Sequence, residues 1–120
     1  MNLHNKKVGN KGESIAEKFL LDKGYTIVGK NFHFGKDGEI DIIALDKNDV
    51  LVFIEVKTRT NHNFGHPLLS ITEKKKRSIR FAANGYMLKH NITDKECRID
   101  FIAIDMITDF PDITHLENAM

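Results

Sequence analysis

The sequence predicts an α/β domain: a mixed β-sheet flanked by two main helices, in the order helix, three-strand meander, helix, strand. Three observations carry this. Two segments place apolar residues at helical spacing, three strand-like runs follow one another between them, and 120 residues suffice for about one domain.

The first helix is expected from about Lys6 to Lys23, because Val8, Ile15, Ala16, Phe19 and Leu20 recur on one face and Gly24 can end it. Tyr25 to Phe34 is rich in β-branched and aromatic residues, and Lys36-Asp37-Gly38 supplies turn chemistry. Glu39 to Leu45 follows as a second strand, with Ile40, Ile42 and Ala44 forming its apolar set. Past the turn cluster Asp46 to Asp49, Val50 to Arg59 is nearly continuous in Val, Leu, Ile and Phe, the mark of a central strand buried on both faces. A loop with Gly65 and Pro67 leads to a long helix from about Ile71 to His90, then to a fourth strand over Arg98 to Met106. The tail, with Pro111 and a closing His115 to Ala119, carries only a weak signal.

Composition narrows the function classes. A hydrophobic fraction of 41% with 29% charged residues is ordinary for a folded water-soluble chain. The longest apolar run, Val50 to Ile54, is stopped by Glu55, far short of a membrane span, and the start lacks the apolar stretch of a secretory signal. Cys97 is the only cysteine, which excludes an internal disulfide and fits a reducing, cytoplasmic setting. The net charge of +1 hides an asymmetry: residues 71–91 hold six Lys/Arg against one acid, and 92–120 two against seven. A basic second helix can attract a polyanion, although such runs are also solvated helix faces.

The chemistry lies in the second and third strands. With a turn of Lys47, Asn48 and Asp49, Asp46 faces Val50, and counting back sets Asp41 opposite Glu55 and Glu39 opposite Lys57. Strict alternation then puts Glu39, Asp41, Ile43 and Leu45 on the face shared by Phe53, Glu55 and Lys57. Opposed carboxylates repel unless a cation pairs them, and their oxygens are hard ligands suited to Mg²⁺ or Mn²⁺. Lys57 could hold an attacking water. The competing reading is an ordinary cross-strand ion pair of Lys57 with Glu39 or Glu55. Lys75 falls within the inward stripe of the second helix, Ile71, Ser78, Ile79, Ala82 and Tyr86. Glu13 borders the stripe of Val8, Gly12, Ala16 and Leu20, so three elements send charges toward one sheet face. His62 and His66 are four apart but sit beside Gly65 and Pro67, which argues against a helical zinc pair. Arg98 and Asp100 share a strand face and read as a structural pair. Arg59 is either a phosphate contact or a solvated strand end.

The runs Gly12-Glu13-Ser14-Ile15-Ala16, Gly24-Tyr25 with Asn31, Gly38-Glu39-Ile40-Asp41-Ile42-Ile43 and Phe53-Ile54-Glu55-Val56-Lys57-Thr58-Arg59 resemble the YraN-like family of small bacterial proteins. Phe64-Gly65 with Pro67, Lys75, Ala82-Ala83 with Tyr86, Arg98-Ile99-Asp100 and His115 to Ala119 extend the resemblance from about Val8 to Ala119. That family looks like the restriction-endonuclease-like superfamily with the PD-(D/E)xK signature and is similar to archaeal Holliday-junction resolvases. The resemblance implies one nuclease-like domain over residues 1–120. In it Asp41 and Glu55 are the signature acids and metal ligands, Lys57 its lysine and Glu13 a helix-borne acid that completes the catalytic set. Ile40 stands where the signature's proline would be.

The expected activity is Mg²⁺- or Mn²⁺-dependent hydrolysis of phosphodiester bonds in DNA, branched or otherwise non-duplex, with Arg59, Lys74 and Lys75 contacting the nucleic acid. A homodimer fits this reading and a membrane partner does not. Two alternatives keep the fold without turnover: a nucleic-acid-binding or adaptor module, and a structural partner protein whose acids are ion-paired.

Overall fold

The computed structural model describes residues 3–60 and 71–119, and side chains from residue 11 onward. Its elements are α1 (Leu3–Asp22), β1 (Thr26–Phe34), β2 (Gly38–Leu45), β3 (Leu51–Arg59), α2 (Glu73–Lys89), β4 (Cys97–Asp105) and β5 (Asp112–Leu116). The five strands form one sheet in chain order. Only β3 and β4 are parallel, joined through α2, and every other neighbour pair is antiparallel. His62, Phe64, Gly65, His66 and Pro67 lie outside the described residues, as does the side chain of Val8. No helix among the described residues is long and apolar enough to cross a membrane.

Local chemistry sets the boundaries. Gly24 takes φ +91 at the end of α1, while Tyr25 N–H reaches Leu20 O and Gly24 N–H reaches Leu21 O, the double bond of a Schellman stop. Thr72 caps α2, its hydroxyl accepting from the Lys75 N–H at 3.0 Å. The fifth strand exceeds the sequence expectation. In Asp112–Leu116 only Ile113 and His115 turn inward, an alternation too short and too polar to stand out in the sequence.

The two helices cover opposite faces of the sheet. On one, Ala16 and Leu20 of α1 pack on Ile42, Ala44, Val52, Ile54, Ile102 and Ile104. On the other, Ile79, Ala82 and Ala83 of α2 pack on Ile40, Ile43, Leu51, Phe53 and Phe101. Strand β3 feeds both cores, with Leu51 to Glu55 all buried. Gly12 brings α1 against β3: a Cβ there would stand 2.1 Å from Thr58 Oγ1. The expectation that α1 and α2 address one sheet face is therefore corrected. Any site they share must lie where the sheet stops separating them.

Candidate functional site

That place is where β2 and β3 part. Their register is the one the turn predicted, with Leu45 opposite Leu51 and Ile42 opposite Ile54. The ladder ends there, one step short of the expected pairing of Asp41 with Glu55, and Glu39 does not pair with Lys57. Beyond Ile42 the Asp41 carboxylate takes over, accepting the Val56 N–H at 2.8 Å. A side-chain oxygen thus satisfies a backbone donor that the splayed ladder leaves behind.

Alternation also breaks at Asp41. Ile42 packs on the α1 side and Ile40 on the α2 side, so the predicted common face of Glu39, Asp41, Ile43 and Leu45, and of Ile40, Ile42 and Ala44, does not hold. The neighbouring strand switches in step. Lys30, opposite Ile42, reaches Glu17 of α1, whereas Phe32, opposite Ile40, packs with the α2 core. Between them Asn31 has φ +50, a left-handed conformation that Asn tolerates better than most residues and that reverses which way the next side chain points. Asp41 stands at this switch, within reach of both helices.

From α1, Glu13 comes within hydrogen-bonding reach of Asp41; burial first, then Asp41 and Glu39, push its carboxyl above the usual range. From the α2 side comes Glu55, only 3% exposed. Burial, then the charge of Asp41, push its carboxyl up to about 8, against the pull of Lys75 and Lys57. Its Oε1 meets Lys75 Nζ at 3.2 Å and Lys57 Nζ at 3.9 Å, while Oε2 is buried without a hydrogen-bond partner. Burial opposes the Lys75 charge, but Glu55 and the nearby Asp41 and Glu39 outweigh it and hold the ammonium protonated.

Asp41, Glu55, Lys57, Lys75 and Glu13 are thus drawn to one end of the sheet. Lys74 lies exposed on α2 beside them. Arg59 does not join the group: it is half-buried and tied to Asp105, with Nη2 at 2.7 Å and Nε at 3.2 Å from Oδ2. Arg98 and Asp100 are paired as expected, Nε to Oδ1 at 3.0 Å, within a cluster that also holds Asp46, Tyr25 and His115.

A divalent ion fits this donor set in one manner. Among the described residues no three His, Cys, Asp or Glu side chains form a ready-made cage. Mg²⁺, however, is commonly held by one or two carboxylates, with water and phosphate filling the rest. Asp41 and Glu55 supply that pair, and the unpartnered Glu55 Oε2 is a ligand atom with nothing else to bind.

Residues 12–104 match the model of "Uncharacterised protein family UPF0102". The chain belongs to the UPF0102 family. A UPF0102 protein of Geobacter metallireducens is 43% identical over 99% of this chain and 96% of its own. One from Clostridioides difficile is 39% identical over 98% of this chain and 99% of its own. One from Chlorobaculum parvum is 47% identical over 81% and 74%. The UPF0102 match spans Glu13, Asp41, Glu55, Lys57 and Lys75, so the candidate site is contained in the family's common part. Sequence reasoning did not find the face switch at Asn31. An asparagine between strand residues was its one visible sign.

Proposed function

We propose that this UPF0102 protein is a metal-dependent endonuclease that hydrolyses phosphodiester bonds in DNA. The observation that carries the reading is Glu55: a carboxylate deep in the protein, with one oxygen unbonded, crowded by Asp41 and answered by two lysines. Such an arrangement is costly for folding alone and useful for gripping a cation against a polyanion.

Asp41 and Glu55 would hold Mg²⁺ or Mn²⁺, which supplies charge neutralisation at the phosphate and an acidified water. The protein does the rest. Lys57, a third exposed and beside Glu55, holds and orients the attacking water. Lys75 bridges Glu55 in the resting site and is long enough to turn to a phosphate oxygen when the carboxylate is otherwise engaged. Glu13, its carboxyl pushed up by burial and by Asp41 and Glu39, stands beside Asp41 and helps fix the carboxylate that also accepts from Val56 N–H. Lys74, with the other cations of α2, meets the phosphate backbone, which makes binding salt-dependent and weakly sequence-specific. The likeness to Holliday-junction resolvases favours branched or otherwise non-duplex DNA. The single exposed Cys97 suits a reducing cytoplasm.

The test is cleavage of branched, single-stranded and duplex DNA in Mn²⁺ by wild type and Asp41→Ala. Cutting by the wild type that the variant loses supports the proposal. Cutting that the variant retains refutes the site, and metal-independent binding without cutting favours an adaptor.

A further inference from the structure

Beside the catalytic candidates, a groove of about 690 Å³ runs along α2, walled by Lys74, Lys75, Arg77, Ser78 and Phe81 and by Asp37 of the β1–β2 turn. Lys75 belongs to both places, since its ammonium meets Glu55. Six residues further along the helix is Phe81, about 9 Å on along the helix axis, a rise equal to two or three stacked nucleotides.

Single exposed apolar residues are ordinary, but Phe81 is held in a particular way. The residue is 50% exposed, and its ring meets the Phe34 ring edge-on at 5.3 Å. It also lies over the β1–β2 turn: a Cβ at Gly38 would come within 3.0 Å of it, and one at Gly35 within 3.3 Å. The Ser78 hydroxyl donates to Asp37 O and clamps that turn to α2. The result is a braced aromatic surface bordered by Lys74 and Arg77, both exposed.

We infer that this groove binds single-stranded nucleic acid, with an unpaired base stacked on Phe81 and the adjoining phosphates on Lys74, Lys75 and Arg77. Braced rings flanked by cations are how sequence-tolerant single-strand sites are built, because every base offers a π-face and every nucleotide a charge. Paired bases within a duplex present only their edges to a protein, so the ring selects an unpaired stretch two or three nucleotides from the scissile phosphate. The inference rests on the nucleic-acid part of the function proposed above and adds what the substrate must expose.

The chain contains no tryptophan, so Phe81→Trp introduces an unambiguous fluorophore. In EDTA, an oligothymidylate of about 16 nucleotides should quench the indole, and a blunt duplex of equal length should not. Binding of the labelled oligothymidylate should weaken about 5- to 100-fold in Phe81→Ala and Phe81→Leu, the latter keeping the apolar packing. Equal binding of duplex and single strand, or affinity unchanged by both substitutions, would overturn the inference. So would a self-association abolished by Phe81→Ala with no effect of oligothymidylate, which would make the face a contact between copies. Cleavage that needs Asp41 but ignores Phe81 on every substrate also refutes it, while leaving the nuclease reading intact. Quenching by single strands without any cleavage does the reverse.

Discussion

Glu55 shows most directly how a candidate functional position strains the fold. Its carboxyl releases its proton near pH 8 in the folded chain and near 4.5 in the unfolded one. The folded state binds the proton more tightly, so this group's contribution to stability is present at acid pH and declines as pH rises between those values. Glu55→Gln should therefore match wild type near pH 4 and exceed it by up to several kcal/mol at pH 9, measured by urea denaturation, while any metal-dependent activity disappears. A variant less stable than wild type at pH 9 would show that Lys75 and Lys57 stabilise the charge more than burial opposes it. The identities of Asp41, Glu55 and Lys57 were visible in the sequence because three ionisable residues interrupt otherwise apolar strands. Their convergence was not fully visible. The predicted cross-strand opposition is replaced by a hydrogen bond from Val56 N–H to Asp41, which no counting rule supplies.

At the level of elements, the turn Lys47–Asn48–Asp49 set the β2–β3 register correctly, because a one-residue slip would have exchanged the β3 residues packed under α1 with those packed under α2. The α1 and α2 boundaries fell within a few residues of expectation: Gly24 ends α1 where its backbone freedom placed the stop, whereas Thr72, the cap that starts α2, was not singled out in the sequence. What failed was the face assignment of β2, since period-2 reasoning assumes unbroken alternation, and it breaks at Asp41 in step with Asn31 on the neighbouring β1. The seating of α2 makes a second prediction. A Cβ at Gly85 would lie 2.2 Å from Phe34 Cγ, the root of a ring that cannot swing aside. Gly85→Ala should cost about 1–3 kcal/mol in denaturant unfolding and lower the affinity for single strands by displacing the Phe34 ring that braces Phe81. Unchanged stability would mean that the helix shifts freely over the sheet.

For the molecule as a whole, the acid-rich tail and the basic α2 lie in the same compact chain, so the net charge of +1 describes neither. The tail is folded in by a buried cluster at Asp100, which is wholly inaccessible. Asp100 accepts from Arg98, from the Asn118 N–H and from the His115 ring, whose other nitrogen meets Lys23 at 2.8 Å. Arg98 in turn donates to Asp46 and Tyr25, linking the residue before β1, the β2–β3 turn, β4 and β5. Burial would raise the Asp100 carboxyl, yet His115, Asn118 and Arg98 together hold it below the usual range, and Asp46 behaves likewise with Arg98, Val50 and Asn48. Depressed carboxyls stabilise above their unfolded value near 4 and lose that contribution as pH falls through the folded values. Asp100→Asn should accordingly cost about 3–5 kcal/mol at pH 7 and progressively less below pH 4, followed by chemical denaturation across that range. A loss that does not depend on pH would assign the effect to packing. The sequence offered Arg98 and Asp100 as a pair but not His115, because β5 carries too few apolar residues to announce itself.

The account depends on Asp41 and Glu55 sharing one divalent ion, and direct Mn²⁺ binding followed by isothermal calorimetry or electron spin resonance measures that without any assumption about substrate. It predicts one Mn²⁺ site per chain in wild type, retained in Lys57→Met and abolished in both Asp41→Asn and Glu55→Gln. No Mn²⁺ binding by the wild type, or binding that survives either carboxylate substitution, would contradict it.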